Sequence, residues 1–229
     1  MRHCGILIWE SVRKRGFSVI NVITSFPVQI ALIFALIALC FFFAILGRIA
    51  KQRRDQREIL LAGKEGEDIV TDLIRESLCT DDYLFTNVKI KWNDMKTELD
   101  NVVINKYGVF VIEAKNYNGT LLGREDSRSW QKVKRTKAGN QYINIVKNPF
   151  GQLKRQIYIF SNMLREKGLR VWINGYVYFV ENNSPVESEK LLRSKKEINS
   201  ALHPGGKPVL SEKTIHQLLH LFRKFELAA

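Results

Sequence analysis

Cysteine is scarce in this 229-residue chain: Cys4, Cys40 and Cys79 are scattered. Three such residues exclude a disulfide framework and show no metal-ligand spacing, and they suit a reducing, cytosolic compartment. No glycine run has the spacing of a phosphate-binding loop; "HPGGK", His203 to Lys207, reads as a turn. His216 and His220 stand four apart, but the glutamate of H-E-x-x-H and a third ligand are missing, so zinc peptidase chemistry is excluded. Serine and cysteine nucleophiles lack convincing partners. There are no repeats and no low-complexity tract. Two further absences are more informative. Charge of either sign is missing from Gly16 to Gly47, and acidic residues are missing from Ser127 to Arg165.

The uncharged run is densest over Pro27–Ile49. About 20 apolar residues suffice to cross a bilayer as a helix. A buried core helix would keep a polar face, which this run lacks. A cleaved signal peptide fits less well, because the apolar core is long and no small-residue cleavage site follows it. A single-pass membrane helix is therefore expected. Arg2, Arg13, Lys14 and Arg15 precede it, whereas Arg48, Lys51, Arg53, Arg54, Arg57 and Lys64 follow. Positive charge accumulates on the cytoplasmic side, so the larger C-terminal part is expected in the cytoplasm, attached to the cell membrane.

The expected division is a basic or interfacial segment at 1–26, the span at 27–49, a charged linker at 50–58, a globular domain at 59–182 and an extension at 183–229 ending in an amphipathic helix. Of the net charge of +13, residues 1–50 carry +4 and the remainder +9. A basic soluble part calls for an anionic partner, nucleic acid or a membrane surface.

From Ile59 the pattern is helical, with Val70, Leu73, Ile74 and Leu78 on one stripe and Glu67 on the same inward side. Three strands are expected at 83–90, 98–104 and 108–115. Residues 127–151 look irregular and basic, with room for one short strand. A helix is expected at 150–168, an apolar strand at 169–180 and a last helix capped by Ser211. The order predicts a mixed α/β domain with a small central sheet.

The hairpin "ELDNVVINKYGVFVIEAKNYNG", residues 98–119, holds charges among aliphatic neighbours. With Asn105 opposite Gly108, Asp100 falls opposite Glu113, roughly 5 Å away, and Lys115 shares the face of Glu113. Opposed carboxylates repel unless a cation joins them or one is protonated. An all-oxygen ligand set selects a hard ion, Mg²⁺ or Mn²⁺. The plainer alternative is an internal salt bridge through Lys115.

These residues resemble the PD-(D/E)XK restriction-endonuclease-like superfamily, and more closely its nuclease-related domain family. The matching pieces are "GKEGE" at 63–67, the hairpin at 98–119, Trp130 and "NPFGQ" at 148–152, covering about residues 60 to 180. The resemblance implies a restriction-endonuclease-like core of helix, three-strand meander, helix and strand, behind one transmembrane helix. It implies Mg²⁺-dependent hydrolysis of phosphodiester bonds, with DNA as partner and no small-molecule cofactor. Asp100 and Glu113 would hold the ion with the Ala114 carbonyl. Lys115 would be the catalytic lysine, Glu67 an accessory ligand or base, and Gln152 a neighbour of the site. Leu99 replaces the family's proline, and Gln156 stands where exonuclease-like relatives carry the tyrosine of Q-x-x-x-Y.

The acid-free segment supports a nucleic-acid partner on its own. It holds nine Lys/Arg, with Trp130, Tyr142 and Phe150 interleaved. Lys132, Lys134, Arg135, Lys137, Lys154 and Arg155 are candidates for phosphate contacts, and Trp130 for base stacking. Two other functions fit the sequence: an inactive nucleic-acid-binding module on the same fold, and a membrane adaptor whose charged hairpin is structural.

Overall fold

A computed structural model describes residues 26–136, 139–181 and 183–226. The chain divides into two compact units between Ile59 and Leu60. Helix α1, Phe26–Arg75, begins in the first unit. Its Leu, Ile, Ala and Phe residues are strong helix formers or well tolerated there, and Pro27 sits in the first turn, where its missing N–H costs nothing. Its apolar residues from Leu32 to Ile49 are exposed, so this stretch is apolar and long enough to be a membrane span. The charged residues 50–58 are helical and continue α1.

The second unit is a mixed α/β domain. Strands β1 (Tyr83–Trp92), β2 (Met95–Asn105) and β3 (Gly108–Lys115) form an antiparallel meander. A small antiparallel sheet of β4 (Thr120–Leu122), β5 (Ser129–Arg135) and β6 (Gln141–Lys147) follows. Helix α2, Pro149–Glu166, then leads to β7, Ile173–Phe179, which lies parallel to β3. The tail contributes β8 (Leu191–Leu192), α3 (Lys195–Leu202) and α4 (Glu212–Glu226), and the main sheet runs β1-β2-β3-β7-β8.

Alternation along β3 sends its two sets of side chains to different cores. Phe110, Ile112 and Ala114 pack with Val70 and Ile74 of α1 and with Ile198 and Leu202 of α3. Val109 and Val111 pack with Leu153 and Phe160 of α2 and Phe222 of α4. The tail is therefore integral to the fold rather than an appendage: β8 extends the central sheet, and Leu218 and Phe222 are fully buried.

Residues 127–151 depart from the sequence expectation, since they supply two strands of the second sheet instead of one short strand. Trp130 explains part of this. It is 1% exposed, packs against Phe150 and Phe179, and donates its indole N–H to the Arg124 carbonyl at 2.9 Å. It anchors the small sheet to the core.

Candidate active site

The β2–β3 connection is a tight turn. Asn105 pairs with Gly108, and the Asn105 side chain accepts the Tyr107 N–H at 2.8 Å. The register follows from that turn: Ile104 faces Val109, Val102 faces Val111, and Asn101 faces Ile112. The ladder stops there, so Asp100 and Glu113 lie one step beyond the last backbone pair. In place of the next rung, the Asp100 carboxylate accepts the Ala114 N–H at 2.9 Å. In an extended residue the N–H and C=O point to the same strand edge, so the Ala114 carbonyl is turned toward the same gap.

Glu113 is fully buried. Its Oε1 accepts hydrogen bonds from the Lys115 ammonium and the Gln152 amide, and its Oε2 accepts from Gln156 Nε2 at 2.5 Å. Gln156 also donates to the Glu98 carbonyl at 2.9 Å, and its own Oε1 is buried without a partner among the described residues. Gln152 and Gln156 are four apart on α2, so they present adjacent amides to one carboxylate. The start of α2 fixes their phase. Asn148 caps it by accepting the Phe150 N–H at 2.9 Å, Pro149 occupies the first turn, and the Asn148 amide donates to the carbonyls of Glu125 and Ser127 at 2.9 and 2.6 Å. The "NPFGQ" stretch is thus a helix start tied to the loop before β5.

The two carboxylates are not equivalent. Glu113 has a cation and two amides against it. Asp100 has one backbone N–H, and no donor among the described residues reaches its second oxygen. Burial, followed by the Glu113 charge, pushes the Asp100 carboxyl up to about 8, against the smaller opposing pull of Lys115 and the Ala114 N–H. Burial alone would lower the Lys115 ammonium, but the Glu113 charge and hydrogen bond, with Asp100, outweigh it and hold it above its ordinary value. Glu67 is raised by burial, eased by Lys115 and raised further by Glu113 and Glu98. It therefore feels the charges of the site from α1.

Glu67 is brought there by a close approach. A Cβ at Gly66 would lie 2.4 Å from Asn116 Cβ, just beyond β3, and the Asn116 amide donates to the Ala62 carbonyl at 2.8 Å. Only a residue without a side chain lets α1 pass this close. Gly66→Ala is expected to push the helix and the β3 end apart and to cost about 1–3 kcal/mol, measured by denaturant unfolding; an unchanged midpoint would contradict the contact.

The donors suit a hard divalent ion: Asp100, Glu113 and Glu67 offer only oxygens, and the protein alone does not compensate the ionised form of Asp100, which therefore holds its proton. Each carboxylate oxygen can accept twice, and Glu113 Oε2 has one donor.

The expected nucleic-acid contacts divide. Trp130 is corrected: with its ring buried it has no face to offer a base. Lys132 and Lys134 are half-buried on β5, the Lys132 ammonium standing 5.7 Å from the Tyr117 ring centre, and Arg135 is exposed. Lys154 and Arg155 are exposed on α2, where the Arg155 guanidinium donates to the Lys96 carbonyl at 3.3 and 3.4 Å. Lys137 lies outside the described residues. Sequence reasoning missed the contact of Gln156 with Glu113, and the second amide four residues after Gln152 was the available signal.

The mixed α/β sheet thus carries a carboxylate pair and a lysine on one hairpin, as the resemblance to a nuclease-like fold implies. The model of the nuclease-related domain family matches residues 62–180, and the chain belongs to that family. Over 108 residues it is 32% identical to an uncharacterized protein of Bacillus anthracis, covering 46% of this chain and 48% of that protein. The chain thus spans about half the length of this curated relative. No solved structure matches it.

Proposed function

We propose that the chain is a membrane-anchored, Mg²⁺- or Mn²⁺-dependent nuclease that hydrolyses phosphodiester bonds in DNA on the cytoplasmic face of the cell membrane. The observation that carries this is the uncompensated Asp100 carboxylate beside the Lys115–Glu113 pair at the end of a buried hairpin. Asp100, Glu113 and the Ala114 carbonyl would hold the ion, with Glu67 as an accessory. A divalent ion bound there supplies Lewis-acid polarisation of the phosphoryl group and of a water. Lys115, kept charged by Glu113, donates hydrogen bonds to charge that develops on the phosphoryl oxygens. Gln152 and Gln156 hold the Glu113 carboxylate in place, and the Glu67 carboxylate, raised by burial, would be a stronger base than an ordinary one. The apolar Pro27–Ile49 run would keep the domain at the membrane.

One observation favours a second function. Glu113 already has three side-chain donors, which suits a catalytically silent, nucleic-acid-binding module. Incubating the full-length chain with supercoiled, linear and single-stranded DNA in Mg²⁺, Mn²⁺ or EDTA separates the two. Metal-dependent cleavage supports the nuclease; salt-sensitive binding without cleavage under every condition rejects it.

The basic residues make a separate prediction. Changing Lys132, Lys134 and Arg135 together to Glu is expected to weaken DNA binding and to flatten its salt dependence. On duplex DNA the log–log slope should fall by about 0.9 for each phosphate that is no longer neutralised. A filter-binding salt series measures this. An unchanged slope would remove these residues from the interface.

A further inference from the structure

A second cluster of ligating side chains lies away from the carboxylate hairpin. Cys79 and Asp82 belong to the turn between α1 and β1, and His203 caps the C-terminal end of α3. The Asp82 carboxylate accepts the Cys79 backbone N–H at 2.7 Å, and the Asp82 N–H closes on the Cys79 carbonyl at 3.1 Å. His203 Nε2 stands 2.8 Å from Asp82 Oδ2. One ligand atom from each of the three residues lies within 4.8 Å of the other two. Asp82 and His203 are largely enclosed, their side chains 5% and 16% exposed, whereas Cys79 is exposed.

Proton counting points to a cation. His203 Nδ1 faces two oxygens of Asn199, the backbone carbonyl at 3.2 Å and the side-chain Oδ1 at 3.0 Å. Nε2 faces the Asp82 carboxylate. Carbonyls and carboxylates only accept, and a neutral imidazole has a single N–H. One ring nitrogen therefore lacks a proton for its contact unless the ring is an imidazolium or a metal takes the place of the proton at Nε2. A nitrogen fixed by donation to a carbonyl, with the other left for the ion, is the usual arrangement of a metal-bound histidine. The thiol beside the pair favours the metal, because it adds a third ligand that an imidazolium does not need.

We propose that Cys79, Asp82 and His203 form a zinc site that clasps the α3 end of the C-terminal tail to the α1–β1 turn. Thiolate, imidazole and carboxylate together select zinc over the hard ions. Three protein ligands leave a fourth position, which the exposed Cys79 side leaves open to water. Tetrahedral nitrogen and oxygen ligands sit about 3.3 Å apart, so loading widens the present His203–Asp82 contact by about half an ångström. The Lys195–Glu76 ion pair, 2.9 Å, already joins the same two segments. In the sequence the cluster is invisible, because His203 stands 121 residues from Asp82.

Cobalt titration of the EDTA-treated full-length chain in detergent tests this without reference to nuclease activity. One equivalent of Co²⁺ is expected to give thiolate charge-transfer absorption and four-coordinate visible bands, both displaced by Zn²⁺. Cys79→Ser should abolish the charge-transfer band. Separately, His203→Gln should weaken cobalt binding by about a hundredfold or more. Asp100→Asn should leave both spectra intact, which separates this site from the carboxylate hairpin. The zinc site is rejected if saturating Co²⁺ gives no thiolate band, if the band survives Cys79→Ser through another cysteine, or if His203→Gln leaves the affinity unchanged. The same melting temperature in Zn²⁺ and in EDTA would also reject the metal.

Discussion

Asp100→Asn is expected to lower cleavage by at least about a hundredfold, the scale of losing support for a bound metal, and to make the metal-free protein more stable at neutral pH. The second effect follows from the Asp100 carboxyl being pushed up to about 8, first by burial and then by the Glu113 charge. Its ordinary value is 3.8. Between these values the folded chain holds a proton that the unfolded chain has released. The stability from protonated Asp100 is thus fully present at low pH and lost as pH rises from about 4 to about 8, by at most about 1.4 kcal/mol per pH unit. An asparagine has no such slope, and its carbonyl still accepts the Ala114 N–H. Melting curves in EDTA from pH 5 to 8 should converge at the acid end and separate toward pH 8, with the variant the more stable. Parallel curves, or full cleavage by the variant, would contradict the assignment.

Trp130→Ala is expected to cost about 3–5 kcal/mol, the range for deleting a large buried aromatic. The ring packs between Phe150 and Phe179, and Gly123 lies directly against it: a Cβ there would stand 2.3 Å from the indole. Removing the indole N–H would also leave the Arg124 carbonyl without that donor. Trp130→Phe should recover part of the loss, because it restores apolar volume without the hydrogen bond. Urea unfolding measures both. A cost below about 1 kcal/mol combined with weakened DNA affinity would return Trp130 to the surface role that its basic neighbours suggest.

The hairpin was legible because its determinants are local. A two-residue turn sets the register, and alternation then brings Asp100, Glu113 and Lys115 to one face. Helix α2 was equally legible from its apolar spacing. The second sheet was not, since "SWQKVKR" and "QYINIVK" alternate without a continuous buried face and Tyr142, Ile143 and Ile145 are exposed. The tail was obscure for a related reason: β8 has two residues, and its place in the sheet comes from pairing with β7. Symmetric repulsion between Asp100 and Glu113 was only half the account. Lys115 and two glutamines of α2 compensate Glu113, and those amides come from 39 and 43 residues away, beyond any periodicity within the hairpin.

The most direct measurement is the melting temperature of full-length wild type and Asp100→Asn in detergent at pH 8, in EDTA and in millimolar Mg²⁺ or Mn²⁺. If the hairpin holds a divalent ion, the metal raises the wild-type midpoint by several degrees, about 2–4 °C for each kcal/mol of linkage. The variant, already more stable in EDTA, shows no rise. If the charges form only the internal Lys115–Glu113 salt bridge, the metal moves neither midpoint.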